Sequence, residues 1–278
     1  MNCNTLIIDG SYLAQRSFKA PYHLTTTDGR DATLIHSFIR TLNSLHKQLT
    51  PKHIVIAWES PGTPSQRRLQ YSAYKSQRTA NPEYISELKD LQKLLYLFGI
   101  PQYNSSGNEA DDVIAKLVGS EKIVVFTTDK DLMQLVSDNC QVYDGKTFYD
   151  TAKVKEKFGV LPSQIPDLLA IAGDKADNIE GISGYSIKKS AKILREFGNV
   201  ESIPFPICSS NMHLSLPMQE KILRNKRLTL LRYNCELEKV PKEDVKETIE
   251  DILDKYELKS IKEKIEEYKF SGDARQGG

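Results

Sequence analysis

The chain has 278 residues, 39% hydrophobic and 27% charged, with 38 basic against 37 acidic side chains and a formal net charge of +1. This is material for one large or two smaller folded units, and no apolar run approaches the length of a membrane span. Four scattered cysteines, Cys3, Cys140, Cys208 and Cys235, form no CxxC pair, which argues against a zinc site or a disulfide framework and for free thiols.

Residues 1–6 have neither the basic start nor the apolar length of a secretion signal, so a cytoplasmic location is expected. Thr5-Leu6-Ile7-Ile8 is a short apolar run closed by Asp9-Gly10, which predicts a buried first strand with a carboxylate just past its end. A helical pattern follows from near Ser11 to before Pro21. Residues 25–30 read as a turn, and 32–49 carry apolar residues at helical spacing, among them Leu34, Phe38, Ile39 and Leu42. Residues 53–58 predict a second strand, again followed by an acid, Glu59.

Between 60 and 82 the apolar periodicity is lost. The segment holds three prolines, Arg67, Arg68, Lys75 and Arg78, and the tyrosines Tyr71 and Tyr74. Long irregular loops in compact domains are often lids or binding loops, and tyrosines beside cations are how single strands are commonly held. Strand binding is the expectation here, with a solvated surface excursion as the alternative. Helix resumes over 83–98 and is closed by Gly99.

Asn108-Glu109-Ala110-Asp111-Asp112 precedes a helical pattern, and Thr127-Thr128-Asp129-Lys130-Asp131 follows the apolar strand 123–126. Each cluster alone reads as helix capping, with Asp129 capping a helix that bears Leu132, Leu135 and Val136. Gln141-Val142-Tyr143 and Thr147-Phe148-Tyr149 flank Asp144-Gly145-Lys146 as a hairpin. Alternating strands and helices to this point predict an α/β fold with a mostly parallel sheet, residues 1–150, and beyond Asp150 the pattern is all helical, residues 151–270. A disordered tail is expected at 271–278.

Asp9, Glu59, Glu109, Asp111, Asp112, Asp129 and Asp131 flank strand ends, and Gly173-Asp174-Lys175-Ala176-Asp177-Asn178 adds two acids after an apolar helix. Ligands gather at the carboxyl edge of parallel strands. At ~4 Å, like charges repel by roughly 1 to 4 kcal/mol per pair, so a cation is expected among them. Oxygen donors without His or Cys suit magnesium or manganese, and two such ions form the clamp used for phosphodiester displacement.

The ordered set Ile7-Ile8-Asp9-Gly10-Ser11, Tyr74-Lys75-Ser76-Gln77-Arg78, Glu109-Ala110-Asp111-Asp112, Thr128-Asp129-Lys130-Asp131, Gly173 to Asn178 and Ile182-Ser183-Gly184-Tyr185 resembles the structure-specific 5' nucleases, the flap endonucleases and 5'-3' exonucleases of phages and of the bacterial repair polymerase. The resemblance implies the PIN-like 5' nuclease fold, with a helical arch or loop over 60–82 and a helix-two-turn-helix near 174–198. It implies hydrolysis that leaves a 5'-phosphate and a 3'-hydroxyl.

Residue by residue, the resemblance places Asp9, Glu109, Asp111 and Asp129 on a first magnesium, with manganese as a substitute. Asp131, Asp174 and Asp177 fall on a second, and Asp112 acts through water or a neighbouring ligand. Lys75 and Arg78 face the scissile phosphate, and Tyr74 stacks on a base. Trp58-Glu59 departs from the family's usual aspartate; the longer side chain would reach the metal directly or through water, with a surface glutamate as the alternative. Gly181, Ser183, Gly184, Tyr185 and Ser186, with Lys188, Lys189 and Lys192, match the duplex-binding turn, where a potassium ion often sits on loop carbonyls.

The expected substrate is DNA with a 5' flap, overhang or nick, or an RNA/DNA hybrid, bound by a monomer that has replication proteins as partners and no polymerase region. A catalytically weak DNA-junction binder of the same fold and a PIN-type RNase are the alternatives. The nearly complete acid set argues against the first, the 181–185 turn against the second. The run Lys221, Arg224, Lys226, Arg227 and Arg232 reads as a solvated helix face, and the five histidines show no ligand spacing.

Overall fold

The computed structural model describes residues 3–62, 64–76, 81–209, 212–242, 244–268 and 270. The first strand, β1 (Thr5–Asp9), lies at the centre of a seven-stranded sheet. Its neighbours are β2 (His53–Ala57) and β4 (Ile123–Phe126), both parallel to it. The sheet extends outward through parallel β3 (Gln102–Asn104) and β5 (Cys140–Tyr143), and antiparallel β6 (Phe148–Tyr149) and β9 (Glu238–Lys239) close its two edges.

Every residue of β1 and β4 is buried, as expected of strands covered on both faces. Alternation divides them between two cores. Leu6, Ile8, Val124 and Phe126 pack with Phe38, Trp58 and Leu91 on one face, while Ile7 and Val125 pack with Ile114, Leu132 and Leu168 on the other. The sequence pattern for α1 (Gly10–Phe18), α2 (Thr33–Leu49), α4 (Pro82–Leu97) and α5 (Ala110–Leu117), with the short α3 (Gln66–Gln70) inside the 60–82 loop, gives the covering helices. Gly10 lets α1 start against β2, since a Cβ there would come within 2.6 Å of Ile56 Cγ2.

Beyond Asp150 come α6 (Thr151–Phe158), α7 (Ile165–Ala172), α8 (Ile187–Phe197) and α9 (Leu216–Thr229). The region is not all helical. A hairpin of β7 (Ile207–Ser209) and β8 (Met212–Leu214) separates α8 from α9, and β9 returns to the central sheet beside β3. The three missed pieces and β3 itself are two or three residues long, too short to show a period, and their pairing is decided by a neighbouring strand edge. Residues 131–135, expected as an α-helix capped by Asp129, form a 3-10 turn instead, and the Asp129 carboxylate accepts from its first N–H, that of Asp131.

After β9, α10 (Ile249–Lys255) and α11 (Lys259–Lys262) send Ile252, Leu253, Tyr256 and Ile261 into the same core as Leu91 and Leu94 of α4. Asp90 fixes them there, its Oδ2 lying 2.5 Å from Lys255 Nζ and accepting the Tyr256 hydroxyl at 2.8 Å. The tail 271–278 lies outside the described residues. The four cysteines are free thiols. Among the described residues no helix is long and apolar enough to cross a membrane.

Candidate metal centre

The strand order places β1 and β4 side by side with chain crossing to opposite flanks, which opens a crevice at their carboxyl ends. Asp9 ends β1 there. Its Oδ1 caps α1 by accepting from Tyr12 N (2.9 Å), and its Oδ2 accepts the Thr127 hydroxyl (2.9 Å) from the end of β4. Thr127 Oγ1 in turn accepts from Asp129 N (3.1 Å), and Asp129 Oδ1 accepts from Asp131 N (2.9 Å). A relay of short polar links therefore sets three acids across two strands.

Asp131, Asp174 and Asp177 converge: one oxygen of each lies within 4.8 Å of the others, and all three residues are buried. The loop that supplies two of them is pinned by backbone bonds in both directions between Asp174 and Ile179 (2.8 and 2.7 Å). It is also wedged by close packing at Gly173, where a Cβ would meet Gly181 N at 2.4 Å. Asp131 Oδ1 is buried with no hydrogen-bond partner among the described residues. An all-oxygen anionic set with an orphaned buried carboxylate oxygen fits a hard divalent cation.

The electrostatics point the same way. Burial, with the charge of Asp129, pushes the Asp9 carboxyl up to about 6 against the bonds from Tyr12 and Thr127. Asp111 and Asp131 are pushed well above the usual carboxylate range, first by burial and then by acid neighbours, and Asp177 rises for the same reasons. Glu109 goes the other way: burial raises it, but Lys75 and Arg67 hold it below its ordinary value. Lys130, which the sequence reading gave no role, lies 2.7 Å from Asp174. Its only signal was a lysine between two acids.

Asp9, Glu109, Asp111 and Asp129, expected together on one ion, do not converge as a set of three among the described residues. Glu109 is turned toward cations instead, its Oε2 2.6 Å from Lys75 Nζ and 2.9 Å from the Tyr74 hydroxyl. Asp112 is turned away to Arg67, which it meets through two bonds of 2.6 and 2.8 Å. Glu59 is exposed after β2, with its backbone N–H on Ser11 Oγ (2.9 Å); the Tyr84 hydroxyl is pushed up mainly by burial, with the charges of Glu59 and Asp9 adding to it.

The loop residues divide differently from expectation. Arg67, expected on phosphate, is 3% exposed, and Tyr74, expected under a base, is 1% exposed. Both are consumed by buried carboxylates, because a basic, aromatic loop packed over an acid cluster finds its partners inward. Lys75 is buried too, with φ at 48° and its backbone N–H on the Asp177 carbonyl (3.1 Å). Arg68 is exposed. Arg78 lies outside the described residues.

In the helical region Ser183, Gly184, Ser186, Lys188, Lys189 and Lys192 are exposed, and Ser186 caps α8. Gly181 packs on residues 172–173. The Tyr185 hydroxyl is taken by His213, donating to its carbonyl (3.0 Å) and accepting from its N–H (2.9 Å). On α9, Lys226 is tied to Asp167 (2.8 Å) and Glu201, and the Arg224 guanidinium lies over Tyr71 at 4.6 Å. That face is therefore partly structural.

Two family models match the chain, the N-terminal resolvase-like domain of 5'-3' exonucleases over residues 4–159 and their C-terminal SAM fold over 160–251. The chain is 38% identical to a 5'-3' exonuclease of Aquifex aeolicus, over 71% of each. It is 31% identical to DNA polymerase I of Caldicellulosiruptor bescii, over 92% of this chain and 33% of the polymerase. Among solved structures it is similar to bacteriophage T5 D15 flap endonuclease, a D155K pseudo-enzyme-product complex with DNA and metal ions, with a TM-score of 0.66, 26% identity and coverage of 81% and 88%.

Proposed function

The chain belongs to the 5'-3' exonuclease family, and from that membership we propose that it cuts DNA beside 5' ends bearing a flap, overhang or nick, as a monomer that uses two magnesium ions. It is a phosphodiester-hydrolysing 5' nuclease of a metal-dependent family that acts on DNA. The observation that carries the proposal is the convergence of Asp131, Asp174 and Asp177 beside the Asp9–Thr127–Asp129 relay.

Asp131, Asp174 and Asp177 would hold one ion, and Asp9, Asp111, Asp129 and Glu109 the other, with Glu59 at the rim and manganese as a substitute. When bound, the ions supply charge stabilisation for displacement at phosphorus. Lys75 exchanges Glu109 for the scissile phosphate and, with Arg78, balances the charge that builds there. Asp112 accepts from Glu109 N (3.2 Å) and orients it. Lys188, Lys189 and Lys192 hold duplex phosphates without reading sequence, beside a potassium ion on the 181–186 turn. A similar structure, the T5 enzyme, is complexed with DNA and metal ions, which supports metal-dependent action on DNA. Replication proteins are the fitting partners, since relatives include a DNA polymerase I.

A panel of labelled flap, nicked, overhung and RNA-primed duplexes tests the reading. Cleavage near the 5' end with magnesium, and none with chelator, is expected. Binding without cleavage on every substrate would sink it.

A further inference from the structure

We propose that Arg67 is a positioning residue for the nuclease reaction: it locks the start of the acid-bearing helix α5 to the loop above the site and to the end of α9. The inference rests on the nuclease reading above. Arg67 sits on α3 beside Arg68, yet only Arg67 turns inward. A guanidinium carries a planar fork of five N–H donors, and this one makes four hydrogen bonds with it. Nη1 and Nη2 meet Asp112 Oδ2 and Oδ1 at 2.6 and 2.8 Å. Nε donates to the Leu228 carbonyl (2.7 Å) and Nη2 also to that of Leu230 (2.9 Å). Glu109 Oε2 lies 3.6 Å from Nη1.

Each contact constrains a different segment. Asp112 also accepts from Glu109 N (3.2 Å) and Arg232 N (2.9 Å), so both its oxygens are committed, and the first turn of α5 cannot shift without breaking the fork. Glu109 and Asp111 stand on that turn. The Leu228 and Leu230 carbonyls belong to the last turn and cap of α9, where a cation is favoured by the helix dipole. One buried side chain thus makes the placement of two acids depend on both the loop and the helical region. A lysine cannot substitute: a point charge does not span a bidentate carboxylate and two carbonyls.

The test is Arg67→Lys in the full chain, read by calorimetric titration with Mn2+ in the absence of DNA, by kcat and KM on a 5'-flap duplex, and by thermal unfolding. Loss of a partner that orients a metal ligand is worth about 10- to 100-fold. Mn2+ affinity and kcat are therefore each expected to fall about tenfold or more, with KM changed less than about threefold. Asp112→Asn is expected to give the same split and carries the test should Arg67→Lys not fold. Arg67→Lys that is less heat-stable but keeps wild-type Mn2+ affinity and kcat would overturn the proposal, as would a raised KM with kcat intact, which would return Arg67 to the nucleic acid. The Mn2+ titration needs no cleavage, so failure of the wild-type protein to cut any duplex would count against the nuclease reading alone.

Discussion

Tyr74 and Asp177 stand 103 positions apart in the chain, and the phenol hydroxyl of one lies 2.9 Å from Oδ2 of the other. The same hydroxyl lies 2.9 Å from Glu109 Oε2. One phenol thus bridges an acid from the sheet edge and an acid from the helical region. Burial and the two carboxylates push its own ionisation far up.

Tyr74→Phe keeps the ring and removes the bridge. Hydrogen bonds to charged groups contribute about 1.5 to 3 kcal/mol, so a loss of that order is expected in urea unfolding without divalent ions. Cleavage is expected to slow. Were the ring's job to stack on a base, phenylalanine would serve as well and the single-turnover rate would stay unchanged.

Asp131 concerns stability and activity in opposite directions. Its pKa is raised by burial and acid neighbours, so the folded state binds its proton more tightly than the unfolded chain. Its stabilising contribution is present at acid pH and is lost as pH rises through the raised value. Asp131→Asn removes the buried charge. In chelator near neutral pH its thermal midpoint is expected to rise by a few degrees, while cleavage with magnesium drops on the order of 100-fold. A fall in both would show that the carboxylate holds the fold together.

Glu87 supplies the cap that α2 lacks. Ala32 offers no side-chain bond there, and Glu87 Oε1 of α4 accepts from Ile35 N (3.0 Å). Burial pushes this carboxyl up to about 7, from an ordinary 4.5. Stability from the group is therefore complete below the lower value and drains away as pH climbs through the upper one. Glu87→Gln keeps an acceptor and removes the charge. Its gain in unfolding free energy is expected to be larger at about pH 8 than at about pH 5. Equal effects at both would mean that the carboxyl ionises normally.

The exposed lysines of α8 make a salt prediction. Each phosphate contact contributes about 0.9 to the slope of log K against log salt on duplex DNA. Replacing Lys188, Lys189 and Lys192 with alanine is expected to flatten that slope by about 2 to 3 and to raise KM, with kcat at saturation nearly unchanged. An unaltered slope would remove these residues from the duplex track.

The acids were legible in sequence because those of the first half close an apolar strand or open an amphipathic helix, positions that topology carries to one edge, while Asp174 and Asp177 follow the apolar helix α7. Their partners were not. Arg67 and Tyr74 sit in a loop without periodicity, where nothing distinguishes a side chain turned to solvent from one turned to a buried carboxylate. Thr127 looked like a linker between a strand and Asp129, yet its hydroxyl joins Asp9 to the acids of the next loop. β9, a two-residue strand, left no pattern at all; only the open side of β3 specifies it.

That small strand, with the Asp90 anchor, has a consequence for anyone dividing the chain. Cutting at residue 150, where the alternation of strands and helices ends, would bare the hydrogen-bonding edge of β3 and strip Ile252, Tyr256 and Phe270 from the face they share with Leu91. The fragment would be a sticky half-product. The residues after 150 carry the exposed lysines of α8 and also finish the body that the first hundred and fifty begin.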